Sequence, residues 1–195
     1  MLLTATTVTD RLGLVIGFDD APFERSDRGD VPVVGAVFNG ARLEGVLIGR
    51  VRRDGANAAS RLAAMIEGSR FRSSLRAILV QGVTLAGFNV VDLKGLYART
   101  GLPVVAVSRR KPDLAKIRRA LLESVRGGRR KWRLIEGLPP AKPCDGLYIQ
   151  CVGLDATAAA KLVRRFALNS RLPEPLRTAH LVAGALTHGE SRHRA

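Results

Sequence analysis

Two apolar runs, Val31 to Phe38 (VPVVGAVF) and Ala41 to Val51 (ARLEGVLIGRV), flank the dipeptide Asn39-Gly40. Both central residues of a type I′ turn take positive φ, which Asn and Gly tolerate best, so the stretch predicts a β-hairpin. Ahead of it, the short apolar run Leu14 to Phe18 (LVIGF) stops at Asp19 and Asp20 and reads as a buried strand that ends in a polar turn. Polar residues from Glu24 to Asp30 make the intervening loop. The first third of the chain is thus expected to be an antiparallel meander of three strands.

After Asp54-Gly55 the period changes to that of a helix. Ala59, Leu62, Ala63 and Ile66 recur on one helical face, Asn57 is available as N-cap, and the helix ends near Gly68. The runs AILVQGV (Ala77 to Val83) and PVVAV (Pro103 to Val107) are apolar without alternation, as strands buried on both faces of a sheet are. Between them Asn89 to Thr100 predicts a helix closed by Gly101, and Pro112 to Ser124 a helix with proline in its first turn. Arg126 to Arg130 reads as a basic loop. KWRLI (Lys131 to Ile135) and GLYIQCV (Gly146 to Val152) read as short strands separated by Gly137 to Pro143. Asp155 to Leu168 is an amphipathic helix that buries Leu162, Val163 and Phe166, and Pro175 to Thr187 is the last helix, followed by a flexible tail from about residue 188. These elements predict an α/β chain whose mixed sheet has three antiparallel strands followed by parallel strands, flanked by helices; a doubly wound α/β fold fits the same order. A chain of 195 residues is expected to form one domain spanning 1–195.

Charge narrows the partners. The 32 Lys and Arg against 17 Asp and Glu leave a net charge of +15. Eleven basic and two acidic residues between Arg109 and Arg133 concentrate +9 of it in one stretch. Such a patch favours a polyanion, so DNA or RNA is the expected partner; a compositional bias toward arginine, 26 against 6 lysines, would give the same excess as solvated faces. No apolar run approaches the ~20 residues of a membrane span, and MLLTATTVTD lacks the basic start and apolar stretch of a signal peptide. A cytoplasmic protein without membrane contact is expected. Cys144 and Cys151 lack the paired spacing of a zinc or redox site and read as buried thiols.

Five segments carry more than pattern: GFDDAPF (Gly17 to Phe23), VRRDGANAA (Val51 to Ala59), QGVTLAGFNVVDL (Gln81 to Leu93), RKPDL (Arg110 to Leu114) and RLPEPLRTAHLVAGAL (Arg171 to Leu186). In this order, over Gly13 to Glu190, the chain resembles the DUF99 family (UPF0215), relatives of endonuclease V with an RNase H-like fold. The resemblance implies an endonuclease V-like mixed sheet and a scaffold that, in endonuclease V, holds a divalent metal and cleaves nucleic acid beside a deaminated base such as hypoxanthine.

Hard divalent cations prefer oxygen ligands, so the carboxylates are the first candidates. By resemblance, Asp19 stands where endonuclease V has its first metal aspartate. Asp54 is the nearest counterpart of a glutamate after the third strand, and Asp155 the nearest acid where the family has a glycine and histidine. Asp92 offers a further catalytic carboxylate. Each also has an ordinary structural role: Asp54 in a turn, Asp92 and Asp155 at helix starts. Asp20 would point to the opposite face from Asp19 if the strand continued. At least one of Asp54, Asp92 and Asp155 is expected within metal-bridging reach of Asp19. The chain departs from the resembling enzymes at Gln81, where their fourth strand ends in an aspartate, and it lacks their Tyr-x-Pro-Gly wedge. Magnesium or manganese is therefore expected to bind weakly.

Phe88 and Asn89 leave the carboxyl end of a buried strand, where ligands of open α/β sheets bind, and are suited to stack on and hydrogen-bond a base; alternatively Phe88 enters the core and Asn89 caps a helix. Arg109, Arg110, Lys111, Arg129, Arg130 and Lys131 are candidate phosphate contacts. Arg177 and His180 share one face of the last helix and could do the same, unless Arg177 pairs locally with Glu174. The expected function is that of a nucleic-acid-interacting protein on an endonuclease V-like scaffold, with divalent-metal-dependent cleavage of modified or single-stranded nucleic acid as its activity. Two alternatives stay open: a non-catalytic nucleic-acid-binding module with a degenerate metal site, and a nucleotide or small-molecule hydrolase.

Overall fold

A computed structural model describes residues 13–24, 26–27 and 29–191. Its main sheet contains β1 (Leu14–Asp20), β2 (Asp30–Asn39), β3 (Arg42–Arg52), β4 (Leu75–Gln81), β7 (Val104–Ser108), β8 (Lys142–Cys144) and β9 (Leu147–Val152), and β5 (Thr84–Leu85) with β6 (Asn89–Val90) makes a two-stranded ribbon. The helices are α1 (Ala58–Glu67), α2 (Leu93–Thr100), α3 (Leu114–Ser124), α4 (Gly128–Glu136), α5 (Ala156–Phe166) and α6 (Glu174–His188). The seven strands are ordered β3-β2-β1-β4-β7-β9-β8. The first three are antiparallel, β4 and β7 continue parallel to β1, and β9 turns back antiparallel. This is the expected mixed sheet. No helix of the described residues is long and apolar enough to cross a membrane.

The meander forms for the anticipated reason with a shift of one residue. Asn39 still pairs with Arg42, so the loop is Gly40-Ala41, and Gly40 supplies the positive φ of 56°. Glycine first in a two-residue loop is the II′ arrangement, whose twist also matches the flanking strands. Ile16, Phe18, Val34, Val37, Ile78, Leu79 and Val105 are fully buried, as a sheet covered on both faces requires. Helix α6 covers one face of β1 and β2; α1 lies on the other, where a Cβ on Gly49 would strike Met65. Both cysteines are buried free thiols.

Several expected elements differ. KWRLI belongs to helix α4, not to a strand: Gly128, Lys131 and Ile135 fall on one helical face and are the residues it buries. A five-residue apolar-basic run is too short for periodicity alone to separate helix from strand. The expected linker Gly137 to Pro143 supplies most of β8. The helix expected from Asn89 begins at Leu93, because Asn89 and Val90 pair back onto Thr84 and Leu85. Strand β1 also runs two residues further than its apolar stretch, through Asp19 and Asp20.

The strand directions decide where chemistry can gather. Strands β1, β3, β4 and β7 run the same way, so Asp20, Arg52, Gln81 and Ser108 end on one edge of the sheet. Helix α6 approaches that edge closely because Gly17 has no side chain: a Cβ there would lie 2.5 Å from the Pro175 carbonyl carbon and 2.7 Å from the Leu176 nitrogen. Gly17→Ala should therefore destabilise the fold by roughly 1–3 kcal/mol in urea unfolding, as overpacking does. Gly184→Ala, in the open part of the same helix, should stabilise by about 0.5–1 kcal/mol. Equal effects of the two substitutions would contradict the close packing at Gly17.

Candidate active site at the carboxyl edge of the sheet

Asp19 is the penultimate residue of β1 and is only 4% exposed. Its Oδ2 lies 2.8 Å from His180 Nδ1 on α6, and its Oδ1 accepts the Asp20 N–H at 3.0 Å. Burial pushes the Asp19 carboxyl above its ordinary range, while His180, the Asp20 N–H and the charge of Arg109 hold it down. Asp20 points away, and its Oδ2 accepts the Ala86 N–H at 3.0 Å. Burial and the neighbouring Asp19 charge push it up to about 6.

Beside Asp19 stands Gln81. Phe18 pairs with Val80 in the parallel β1–β4 ladder, so the next residues, Asp19 and Gln81, are neighbours on the same face at the ~4.8 Å strand spacing. The Gln81 Oε1 is buried and has no hydrogen-bond partner. A buried acceptor without a donor costs about 1–3 kcal/mol, and a cation is one group that would satisfy it. Among the described residues no three His, Cys, Asp or Glu side chains gather into a metal-binding group. What these adjacent strand ends offer instead is a buried carboxylate, held by His180, and an unsatisfied amide oxygen, the donor type that a hard divalent ion prefers.

The β5–β6 turn joins this cluster to a second one. Besides the Asp20 contact, Ala86 accepts the Asp54 N–H at 2.9 Å, and the Asp54 Oδ1 accepts the Phe88 N–H at 2.8 Å. Gly87 must be glycine: its φ is 81°, and a Cβ would sit 2.5 Å from Asp54 Oδ1. Below the turn, Asn89 is wholly buried. Its Oδ1 accepts the N–H of Ala58 at the start of α1, and its Nδ2 donates to Arg52 O and to Asn57 Oδ1, both at 2.8 Å. It ties the turn to the β3–α1 corner. On the far side of that corner lies a cavity of about 500 Å³ walled by residues including Asp54, Gly55, Asp92, Arg130 and Lys131.

Residues 13–187 match the family described as Endonuclease dU. The chain belongs to the endonuclease dU family. A UPF0215 protein of Deinococcus radiodurans is 55% identical over 181 residues, covering 93% of this chain and 92% of the relative. One from Methanothermobacter thermautotrophicus is 44% identical, covering 91% and 89%. Among solved structures, a protein of unknown function from Archaeoglobus fulgidus superposes with a TM-score of 0.83 at 34% identity over 89% of this chain and 98% of that one. Endonuclease V of Ciona intestinalis, crystallised with a DNA 24mer containing an inosine followed by a ribo-adenosine, superposes at 0.56 with 13% identity over 87% and 83%. The fold is that of endonuclease V, and the family is the one its motifs resemble.

Within this endonuclease dU family member the predicted residues are not all brought together. Asp19, Asp54 and Asp92 share the carboxyl edge. Asp155 does not: β9 runs antiparallel, with Val152 opposite Val104 at the amino end of β7, so Asp155 lies at the other end of the sheet and caps α5 through the Ala158 N–H at 2.8 Å. Asp92 caps α2 through the Gly95 N–H at 2.9 Å while lining the cavity. Arg177 pairs with Glu174 at 2.9 Å, and Glu174 also holds Asn169. Arg109, Arg110, Lys111, Arg129 and Arg130 are exposed, and Phe88 is half-buried against the core. Lys131 is 4% exposed and turns inward, its Nζ donating to Asp54 O at 2.6 Å. The inward lysine and the pairing of His180 with Asp19 were not foreseen; the four-residue spacing of Lys131 and Ile135 was the available signal for the first. Asn89→Ala removes three hydrogen bonds, one of them fully buried, and leaves the Ala58 N–H unpaired. It should destabilise by roughly 2–4 kcal/mol in denaturant titration. A loss below about 1 kcal/mol would show that the tie to the corner is dispensable.

Proposed function

We propose that this protein is a divalent-metal-dependent endonuclease that cleaves a nucleic acid strand at a deaminated base, with deoxyuridine in DNA the first candidate. The observation that carries the reading is the buried Asp19 beside the unsatisfied Gln81 oxygen, at the sheet edge of a chain in the endonuclease dU family. Asp19 and Gln81 would hold the ion, which supplies Lewis-acid stabilisation of phosphate charge when bound. His180 fixes the Asp19 carboxylate by its Nδ1 contact. Asp20, through Ala86, keeps the β5–β6 turn against the same edge. Exposed Arg109, Arg110, Lys111, Arg129 and Arg130 provide sequence-independent attraction for the phosphate backbone. The cavity beyond Asp54 falls in the 300–1,000 Å³ range of small-ligand sites and accommodates a base turned out of the stack.

One observation favours a second reading, that of a binding module without catalysis: an amide stands where the related scaffold has an aspartate. The two readings separate in one assay. Single-stranded DNA carrying one deoxyuridine is incubated with manganese or magnesium and wild type, Asp19→Asn or Gln81→Asp. The nuclease reading expects metal-dependent cleavage by wild type, loss of at least 100-fold in Asp19→Asn with strand binding retained, and tighter metal binding by calorimetry in Gln81→Asp, since affinity follows ligand charge. Strand binding without cleavage by wild type or Gln81→Asp would leave the binding module standing.

A further inference from the structure

Lys131 occupies an unusual position for a lysine on a short, strongly basic helix. The side chains around it on α4, Arg129, Arg130 and Arg133, are exposed, and a lysine there would ordinarily keep its ammonium in water. Lys131 instead buries its head in the wall of the 500 Å³ cavity. The Asp54 carbonyl is the one acceptor seen for it among the described residues, and an ammonium carries three donors and no acceptor. Burial lowers its pKa, and the Asp54 charge opposes that shift. Asp92 lines the same cavity. One of its oxygens caps α2, and the carboxylate can only accept.

Deamination exchanges a donor and an acceptor on neighbouring atoms of a base. Cytosine presents an amino group and an unprotonated ring nitrogen; uracil presents a carbonyl and a ring N–H in the same two places. Adenine and hypoxanthine differ in the same way. An obligate donor and an obligate acceptor lining one pocket, here beside Asp54, Arg99, Arg126 and Arg130, are the pair of groups that would match the deaminated bases and oppose their parents. We infer that Lys131 and Asp92 are the specificity-determining residues of this cavity, Lys131 donating to the carbonyl and Asp92 accepting from the ring N–H of uracil or hypoxanthine. Cytosine or adenine would set an amino group against the ammonium and a lone pair against the carboxylate. Sites built on such hydrogen bonds reject the mismatched analogue strongly, because buried polar groups are then left unpaired. Thymine shares uracil's edge, so this pair does not separate those two. The inference rests on the proposed action at deaminated bases.

The test measures binding, so that it does not depend on cleavage. Otherwise identical single strands with one central deoxyuridine, deoxyinosine, deoxycytidine or deoxyadenosine are titrated by fluorescence anisotropy in chelator, with wild type, K131Q, K131R and D92N. Wild type is expected to prefer the deaminated strands by at least about tenfold. K131Q, whose amide oxygen accepts an amino group, and D92N, which keeps a capping oxygen but offers an NH₂, should each bring the preference close to unity. K131R, which keeps the donor, should retain part of it. Unchanged thermal unfolding in D92N separates lost recognition from lost fold, since asparagine also caps helices. If wild type discriminates and K131Q and D92N do so equally well, the reading residues are elsewhere and this inference falls while the proposed function stands. If wild type neither binds deaminated strands preferentially nor cleaves them faster than their parents, both fall.

Discussion

The site depends on keeping a carboxylate out of water. Asp19 is buried because β1 continues two residues past its apolar run and α6 closes over it, and α6 can close only because Gly17 leaves no Cβ in its path. Burial raises the energy of the ionised group, and His180 from α6 returns part of that energy through its 2.8 Å contact. The carboxyl group is thus held in a fixed place against His180. The same packing places the unsatisfied Gln81 oxygen on the adjacent strand.

From this point the arrangement extends outward through the backbone. Asp20 holds Ala86, Ala86 holds Asp54, and Asp54 holds both Phe88 and Lys131. Asn89 fastens the turn to the corner where β3 passes into α1. The proposed metal position and the base-sized cavity are therefore two ends of one hydrogen-bonded chain, built from residues that come from four separate segments. A strained backbone is part of that construction: Asp54 and Ala86 have φ of 48° and 47°, values that non-glycine residues adopt rarely.

The sheet was legible because its strands announce themselves in two different ways. The meander shows turn chemistry between apolar runs, and β4 and β7 show the unbroken apolar character of doubly buried strands. Helix α4 was not legible as a helix, since KWRLI is short and its decisive neighbours, Gly128 and the buried face of α3 at Leu121, lie outside the run. Among site residues, Asp19 stood out by position. The inward turn of Lys131 follows from the i, i+4 spacing to Ile135 only once the segment is taken as a helix, and the remoteness of Asp155 depends on which way β9 runs, which no local pattern encodes. Asn89 read as a base contact or as a helix cap; its three-way tie under the turn, to Ala58, Arg52 and Asn57, appears only when β3, α1 and β6 are assembled.

The proposed nuclease chemistry requires the buried oxygens at the ends of β1 and β4 to form a divalent-cation site. The most direct measurement is a crystal structure of the protein soaked in manganese, with anomalous diffraction recorded at a wavelength where manganese scatters strongly. A divalent-cation site there should give an anomalous peak in contact with Asp19 and the Gln81 Oε1, absent from Asp19→Asn crystals treated in the same way. A peak elsewhere, or none at Asp19 when the soaked crystal shows Gln81 satisfied by a protein donor or water, would contradict it.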